Sequence, residues 1–310
     1  MKIALFGYYG FSNAGDEKLL EKSLSILMDN WPNADVFELK RGSFSKLFSQ
    51  LRISDRLCFG GGSLLQNKSS KLSLLYYLGI GFLALFLRKK VMLLGQGIGP
   101  ISGWFSLFLT RQFLKRCLLI TIRDEESQSF LRRLGIDAKC STDLVFYNAQ
   151  FQQSESPLNT LGFSIKKGEL TDQQLSYCLD IVAENPLQKK VLICHPNHDE
   201  ALRLTESDRC YLSKIWDEAP PFQCLVTMRY HAAVYAALWG VPFFSLVHDP
   251  KLLSLSKSLG QPYLLLSDME ESSFCASLSG FISGYDSYKH ILKARVPIQI
   301  DLAKEFTCLS

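Results

Sequence analysis

The chain has 310 residues, 47% of them hydrophobic and 21% charged, with Lys plus Arg at 34 against Asp plus Glu at 30 for a net charge of +4. At roughly 150 residues per domain, this length predicts about two domains with their own cores and excludes a miniature scaffold held by disulfides. The weak positive balance is spread along the sequence, which argues against a nucleic-acid partner and leaves room for a locally basic site that takes a small anion.

The opening MKIALFG carries one basic residue and too short an apolar stretch for a signal peptide, and it reads as a strand. Strands are expected at residues 3–6, 35–39, 56–59, 91–94, 118–122 and near Ala138, with helices beginning near Asp16, Phe44, Leu72, Trp104 and Asp124. This alternation is the pattern of parallel βαβ units. Residues 72–87, LSLLYYLGIGFLALFL, are uncharged, and Arg88, Lys89 and Lys90 follow them. The stretch is shorter than the ~18 apolar residues of a spanning helix. A buried helix is expected there, with a peripheral membrane contact as the alternative that the basic flank suggests.

Residues 148–159, NAQFQQSESPLN, are polar without an apolar period and mark a linker. Beyond it, strands at 161–165, 191–194, 224–228, 242–247 and 263–266 alternate with helical patterns at 171–184, 200–217, from Tyr230 and from Lys251. A helical tail follows Ser272. The expected architecture is α/β: two doubly wound Rossmann-like domains, 1–150 and 151–310, with the tail packing back on the first. An interdomain cleft at the carboxyl ends of both sheets is where ligands of such proteins bind. The 9 cysteines are odd in number, never form Cys-x-x-Cys and mostly sit in apolar runs, as reduced core thiols of a cytoplasmic protein do.

Several strand-to-helix loops carry unusual residues. GYYGFSNAGD at 7–16 places Gly10, Asn13, Gly15 and Asp16 between a strand and a helix. Glycines let a backbone approach a ligand closely, and the free N–H groups of a helix N-terminus suit an anion. A tight turn with Asp16 as the helix cap explains the same residues. GGGS at 60–63, with Gly61 and Gly62, and GQGIGP at 95–100, with Gly97 and Gly99, repeat the context, the three consecutive glycines marking a loop over which a ligand or another backbone passes closely. None has the dinucleotide-binding spacing. Arg123 ends a strand just before Asp124, Glu125 and Glu126, which suit the helix dipole; its guanidinium can grip a carboxylate or phosphate.

In the second half, MRYH and VHDPK bring Arg229, His231 and Lys251 to successive strand ends, a cationic group with one titratable member. His231 alone reads equally well as a structural histidine. Capping explains Asp249 and Pro250. His195 and His198 lack helical spacing and a third ligand, so no metal site is expected. No serine nucleophile elbow, Walker loop or paired catalytic carboxylates occur.

GYYGFSNAGDE, GGGSLLQ, GQGIGP, RDEES, and RYHAAVYAALWGVP followed by HDPK, in this order and spacing, resemble the polysaccharide pyruvyl transferase family, its cell-surface-anchoring branch in particular. The likeness runs from residue 3 to about residue 265. It implies a glycosyltransferase-B-like pair of α/β domains that transfers pyruvate from phosphoenolpyruvate to a sugar of a cell-surface polysaccharide precursor, forming a cyclic ketal. Phosphoenolpyruvate is then a co-substrate, and no other cofactor and no metal is expected. Arg123, His231 and Lys251 match positions used for donor binding and catalysis, and Arg229 belongs to the same Arg-x-His element. The glycine loops would supply N–H donors to the phosphate, and His231 the proton. A lipid-linked saccharide acceptor would bring the enzyme to the inner face of the membrane. Tyr230, His248 and Lys166 depart from the family's common residues and leave the donor group in place. A glycosyltransferase using a nucleotide sugar and a non-catalytic binding relative are the alternatives.

Overall fold

The computed structural model describes residues 1–68, 70–153, 159–200, 202–307 and 309; residues 154–158 of the expected linker, and Cys308, lie outside the described residues. The chain forms two compact units. One comprises Met1–Phe11, Asp16–Asn148 and Ile300–Ser310, the other Ser12–Gly15 and Ala149–Gln299.

In the first unit the elements run β1 (Lys2–Phe6), α1 (Ala14–Asn30), β2 (Asp35–Glu38), α2 (Phe44–Ile53), β3 (Arg56–Phe59), α3 (Lys71–Phe86), β4 (Lys90–Gln96), α4 (Trp104–Leu114), β5 (Leu119–Ile122), α5 (Glu125–Arg133) and β6 (Lys139–Cys140). The strands form one parallel sheet in the order β2-β1-β3-β4-β5-β6. Order reverses at β1, so the loops after β1 and β3 flank the switch point at which such sheets take ligands. β1 and β3 are apolar on both faces, as strands covered on both sides must be.

Residues 72–87 form the body of α3, and Leu74, Tyr77, Leu78, Ile80 and Ala84 enter the core of this unit. Tyr76, Phe82, Leu83 and Leu85 pack against that core from its margin, and Leu72, Leu75 and Phe86 are exposed. Gly81 admits the ring of Phe113 from α4: a Cβ there would overlap it. Among the described residues no helix is long and apolar enough to cross a membrane. The segment from Ile300 lies against this unit, where Ser141 donates to the Leu302 carbonyl at 2.8 Å and Asn30 to that of Phe306 at 2.6 Å.

The second unit contains β7 (Thr160–Lys166), α6 (Asp172–Glu184), β8 (Gln188–Ile193), β9 (Asp199–Glu200), β10 (Arg209–Tyr211), α7 (Leu212–Ile215), β11 (Cys224–Thr227), α8 (Tyr230–Leu238), β12 (Phe243–Val247), α9 (Pro250–Leu259), β13 (Tyr263–Leu265), α10 (Glu271–Ser283) and α11 (Tyr285–Ala303). Its sheet runs β10-β8-β7-β11-β12-β13 in parallel, with β9 antiparallel to β7 off one end. The helical pattern expected at 200–217 is corrected here. Arg209–Tyr211 pairs with β8, Leu202 is buried through a left-handed turn, and only Leu212–Ile215 is helical. A three-residue strand is too short to show an alternating pattern, and the charged run before it imitates a solvated helix face.

Candidate functional site

Each unit gathers its unusual residues on the loops that leave the carboxyl edge of its own sheet. In the first unit, the loops after β3 and β4 are zipped together. Gly97 N–H donates to the Gly62 carbonyl at 2.8 Å and Gly99 N–H to that of Leu65 at 2.9 Å. Gln96 is fully buried and clasps both ends: its amide donates to the Gly60 carbonyl and its side-chain oxygen accepts from Leu64 N–H. Two backbone segments this close leave no space for side chains. A Cβ at Gly61 would meet Leu19 at 2.7 Å, and one at Gly97 would meet the Ser63 hydroxyl at 2.7 Å and the Arg123 guanidinium at 3.0 Å. At Gly62 the cause is backbone conformation, a φ of +116°. A Cβ at Gly99 would stand 3.6 Å from the Phe130 ring, an ordinary contact, but the backbone there has a φ of +95°.

Arg123 sits beneath this clasp with a side chain only 2% exposed. It donates to Asp143 at 2.9 Å and to the Ser63 hydroxyl at 2.8 Å, and Asp124 stands 3.6 Å from its Nε. Asp143 is fully buried and also accepts from Val145 N–H at 3.0 Å. Asp124 caps α5 by accepting from Ser127 N–H at 2.7 Å. The guanidinium is thus tied to the wall of the loop cluster.

In the loop after β1, Gly10 donates its N–H to Glu17 at 2.7 Å, with open space where a side chain would stand. The expectation that Asp16 caps the helix is corrected. α1 starts at Ala14, Asn13 accepts from Gly15 N–H at 3.2 Å, and Asp16 lies in the first turn. Beside this loop, the Arg41 guanidinium lies 5.0 Å from the ring centres of both Tyr8 and Phe11, which stack on each other, and within 5.4 Å of Tyr76 and Tyr77. Sequence reading missed this aromatic box; its signal was the run of ring residues in GYYGF.

In the second unit, Arg229, His231, His248 and Lys251 leave the carboxyl ends of β11 and β12. Arg229 precedes α8 and is held by a fully buried Asp199, with its Nε 2.6 Å from the carboxylate and Nη2 2.9 Å from the His198 carbonyl. Asp199 also accepts the N–H groups of Cys194 and His195, at 2.6 and 3.0 Å, which folds the CHPNHD loop around it. This aspartate too was missed in the sequence, where it reads as part of a polar turn.

His231 is half-buried in the first turn of α8, its ring edge-to-face with Tyr230 at 5.3 Å. Gly15 belongs to this unit and abuts His231, since a Cβ there would overlap the imidazole. Lys251 opens α9, where Asp249 caps by accepting its N–H at 3.1 Å and stands 3.4 Å from its ammonium, with Pro250 at the first helical position. Burial, reinforced by the nearby Lys166 charge, pulls the His248 ring down to about 4, so it is neutral near pH 7. The His195 ring lies 4.2 Å from that of His198, and burial lowers its pKa as well. Among the described residues, no three His, Cys, Asp or Glu side chains stand together as a metal site would need.

No curated protein matches the sequence. Among solved structures, the chain is similar to a UDP-GlcNAc 2-epimerase from Neisseria meningitidis bound to UDP-GlcNAc, with 12% identity, 98% of each chain covered and a TM-score of 0.59. It is also similar to Anabaena Alr3699/HepE in complex with UDP and glucose, with 12% identity, 98% of this chain and 95% of that one covered and a TM-score of 0.55. Sucrose-phosphate synthase from Thermosynechococcus elongatus gives 10% identity, 98% and 97% coverage and a TM-score of 0.56. At these identities the likeness concerns the fold, which is glycosyltransferase-B-like with two Rossmann-like units. The family model for polysaccharide pyruvyl transferase matches residues 13–208, more than half of the chain, and includes the loops after β3 and β4, Arg123, Asp143 and Asp199, while Arg229, His231 and Lys251 lie beyond the matched span. The chain therefore belongs to the polysaccharide pyruvyl transferase family and is a transferase.

Proposed function

We propose that the protein transfers pyruvate from phosphoenolpyruvate to two hydroxyls of a saccharide in a cell-surface polysaccharide precursor. The observation that carries this reading is the cationic edge of the second unit, where Arg229, His231 and Lys251 stand on adjacent loops and the half-buried His231 is the member that can titrate near neutral pH. Phosphoenolpyruvate presents a carboxylate and a phosphate, and such anions are held by guanidinium, ammonium and backbone N–H donors. Arg229 and Lys251 supply the charges.

In the reaction, the methylene carbon of the donor takes a proton and becomes a methyl group, and one sugar oxygen bonds to the adjacent carbon as its hydroxyl proton restores the acid. The second hydroxyl then displaces phosphate from that carbon and gives its proton to the departing phosphate, closing the ketal and releasing one hydrogen phosphate per pyruvate. The His231 imidazolium would give the first proton, a role worth roughly 10² to 10⁴ in rate. His248, neutral near pH 7, has no proton to give there. The scheme draws on no metal or cofactor. The free thiols, Cys58, Cys178, Cys194 and Cys224 among them, suit a reducing cytoplasm.

A nucleotide-sugar donor is the second reading, favoured by the fold's likeness to HepE in complex with UDP and glucose. Thermal unfolding separates the two. At ~100 times its dissociation constant, a donor adds about 2.7 kcal/mol of stability. Phosphoenolpyruvate is expected to raise the midpoint and UDP-glucose to leave it unchanged. His231→Ala should cut acceptor-dependent phosphate release at least about a hundredfold while the donor-induced shift persists. A shift with UDP-glucose alone would replace the pyruvyl reading.

A further inference from the structure

The outer face of α3 and α4 is apolar where a solvated surface would be polar. α3 turns Leu72, Leu75 and Phe86 outward, and α4 turns out Trp104, Phe105 and Phe108; Leu72 is 77% exposed, Phe86 82% and Trp104 80%. The two helices pack side by side, the Phe82 and Phe113 rings 5.7 Å apart. Trp104, Phe105 and Phe108 stand within about one turn of each other, the first two rings 5.7 Å apart, and Leu72 and Leu75 open the helix packed beside them, whereas Phe86 stands alone at its far end. Both helices begin at the carboxyl edge of the sheet, so Leu72, Leu75, Trp104 and Phe105 lie toward the edge that carries the glycine loops.

Charge decides what covers this face. Between Asp55 and Asp124 the sequence has no Asp or Glu at all. The exposed charges at the ends of the two helices are Lys68, Lys71, Arg88, Lys90, Lys115 and Arg116. A second copy of the chain laid on the patch would bring two basic rims together, at an electrostatic cost. An anionic bilayer offers complementary charge to the rim, a hydrocarbon boundary to Leu and Phe, and the interfacial depth that Trp prefers.

We propose that the α3–α4 face docks this protein on an anionic lipid surface, with Trp104, Phe105 and Phe108 entering the headgroup boundary and the basic residues at the helix ends facing lipid phosphates. The docking rests on none of the donor chemistry and is read without donor or acceptor, so it stands or falls separately from pyruvyl transfer.

The test is flotation of the full chain with phosphatidylglycerol-containing vesicles and with vesicles of phosphatidylcholine alone, at low and at molar salt. Binding is expected to the anionic vesicles only and to be lost at high salt. Trp104→Ser with Phe108→Ser should weaken it about tenfold or more, as should Lys115→Glu with Arg116→Glu, with circular dichroism unchanged because all four side chains are at the surface. Acyl chains brominated near the headgroup should quench fluorescence in the native chain, and Trp104→Phe should abolish most of that quenching. Equal binding to both vesicle types, or quenching that survives Trp104→Phe, overturns the assignment. So does a concentration-dependent dimer that Trp104→Ser with Phe108→Ser abolishes, in a protein that ignores vesicles.

Discussion

The two units solve one local problem in different ways. Each holds an arginine at the carboxyl edge of its sheet against a fully buried aspartate that also accepts backbone N–H groups: Arg123 on Asp143 in the first unit, Arg229 on Asp199 in the second. Their arginines differ in exposure, at 2% for Arg123 and 18% for Arg229. A guanidinium sealed beneath two loops holds those loops in place. One that borders solvent keeps part of its charge for a ligand. The same residue pair is therefore sealed in one unit and borders solvent in the other, and only the second leaves its guanidinium within reach of a dissolved anion.

The largest expected effect tests the sealed pair. Arg123→Met leaves Asp143 charged and buried without its guanidinium and should lower stability by about 3–5 kcal/mol in urea unfolding. Adding Asp143→Leu should recover most of that loss, since a buried ion pair can give way to apolar side chains at little net cost. A single variant that unfolds like the native chain would remove Arg123 from the scaffold.

How far the sequence reveals this difference depends on the distance between partners. Most strands and helices are legible because apolar runs alternate with helical periods and stop at glycine or proline. Lys2–Phe6, Arg56–Phe59 and Phe243–Val247 fall within a residue of where the pattern puts them. β10 is invisible, because three residues carry no period. Arg123 announces itself as a charge at a strand end, but its partner stands 20 residues away, brought near when Ser141 N–H bonds to the Ile122 carbonyl at 2.8 Å. The glycines are half legible for a related reason. They signal close approach of a ligand or of another backbone, but the neighbours that fill the space at Gly61 and Gly97, Leu19, Leu144, Ser63 and Arg123, are all distant in sequence.

The half-open pair should respond less. Arg229→Met leaves Asp199 with the Cys194 and His195 N–H donors and should cost about 1–3 kcal/mol, less than the change at Arg123. Its second effect sharpens the comparison: the stabilisation given by phosphoenolpyruvate should fall in Arg229→Met and in Lys251→Ala. A loss equal to that of Arg123→Met, with donor response intact, would make both arginines scaffold.

The smallest effect concerns His248, half-buried beside the cations of the second unit. Its ring loses protons at about 4 in the folded chain against 6.5 ordinarily, chiefly because burial disfavours the charged form. The unfolded chain therefore binds this proton more readily, and folding loses stability as pH falls from about 6.5 towards about 4. Above that window both states are neutral and the ring contributes no pH dependence. Solvent reaches part of the ring, so the loss should amount to about 1 kcal/mol or less. His248→Gln removes the titration, and the difference in stability between variant and native chain, followed from pH 6.5 (the ordinary value) downwards, isolates it from carboxylates common to both. A constant difference across the window would mean that the ring takes its proton in the folded chain at its ordinary pH. His248 would then be charged in acid beside Lys166 and Lys251, and the second unit would carry two titratable groups at its ligand edge.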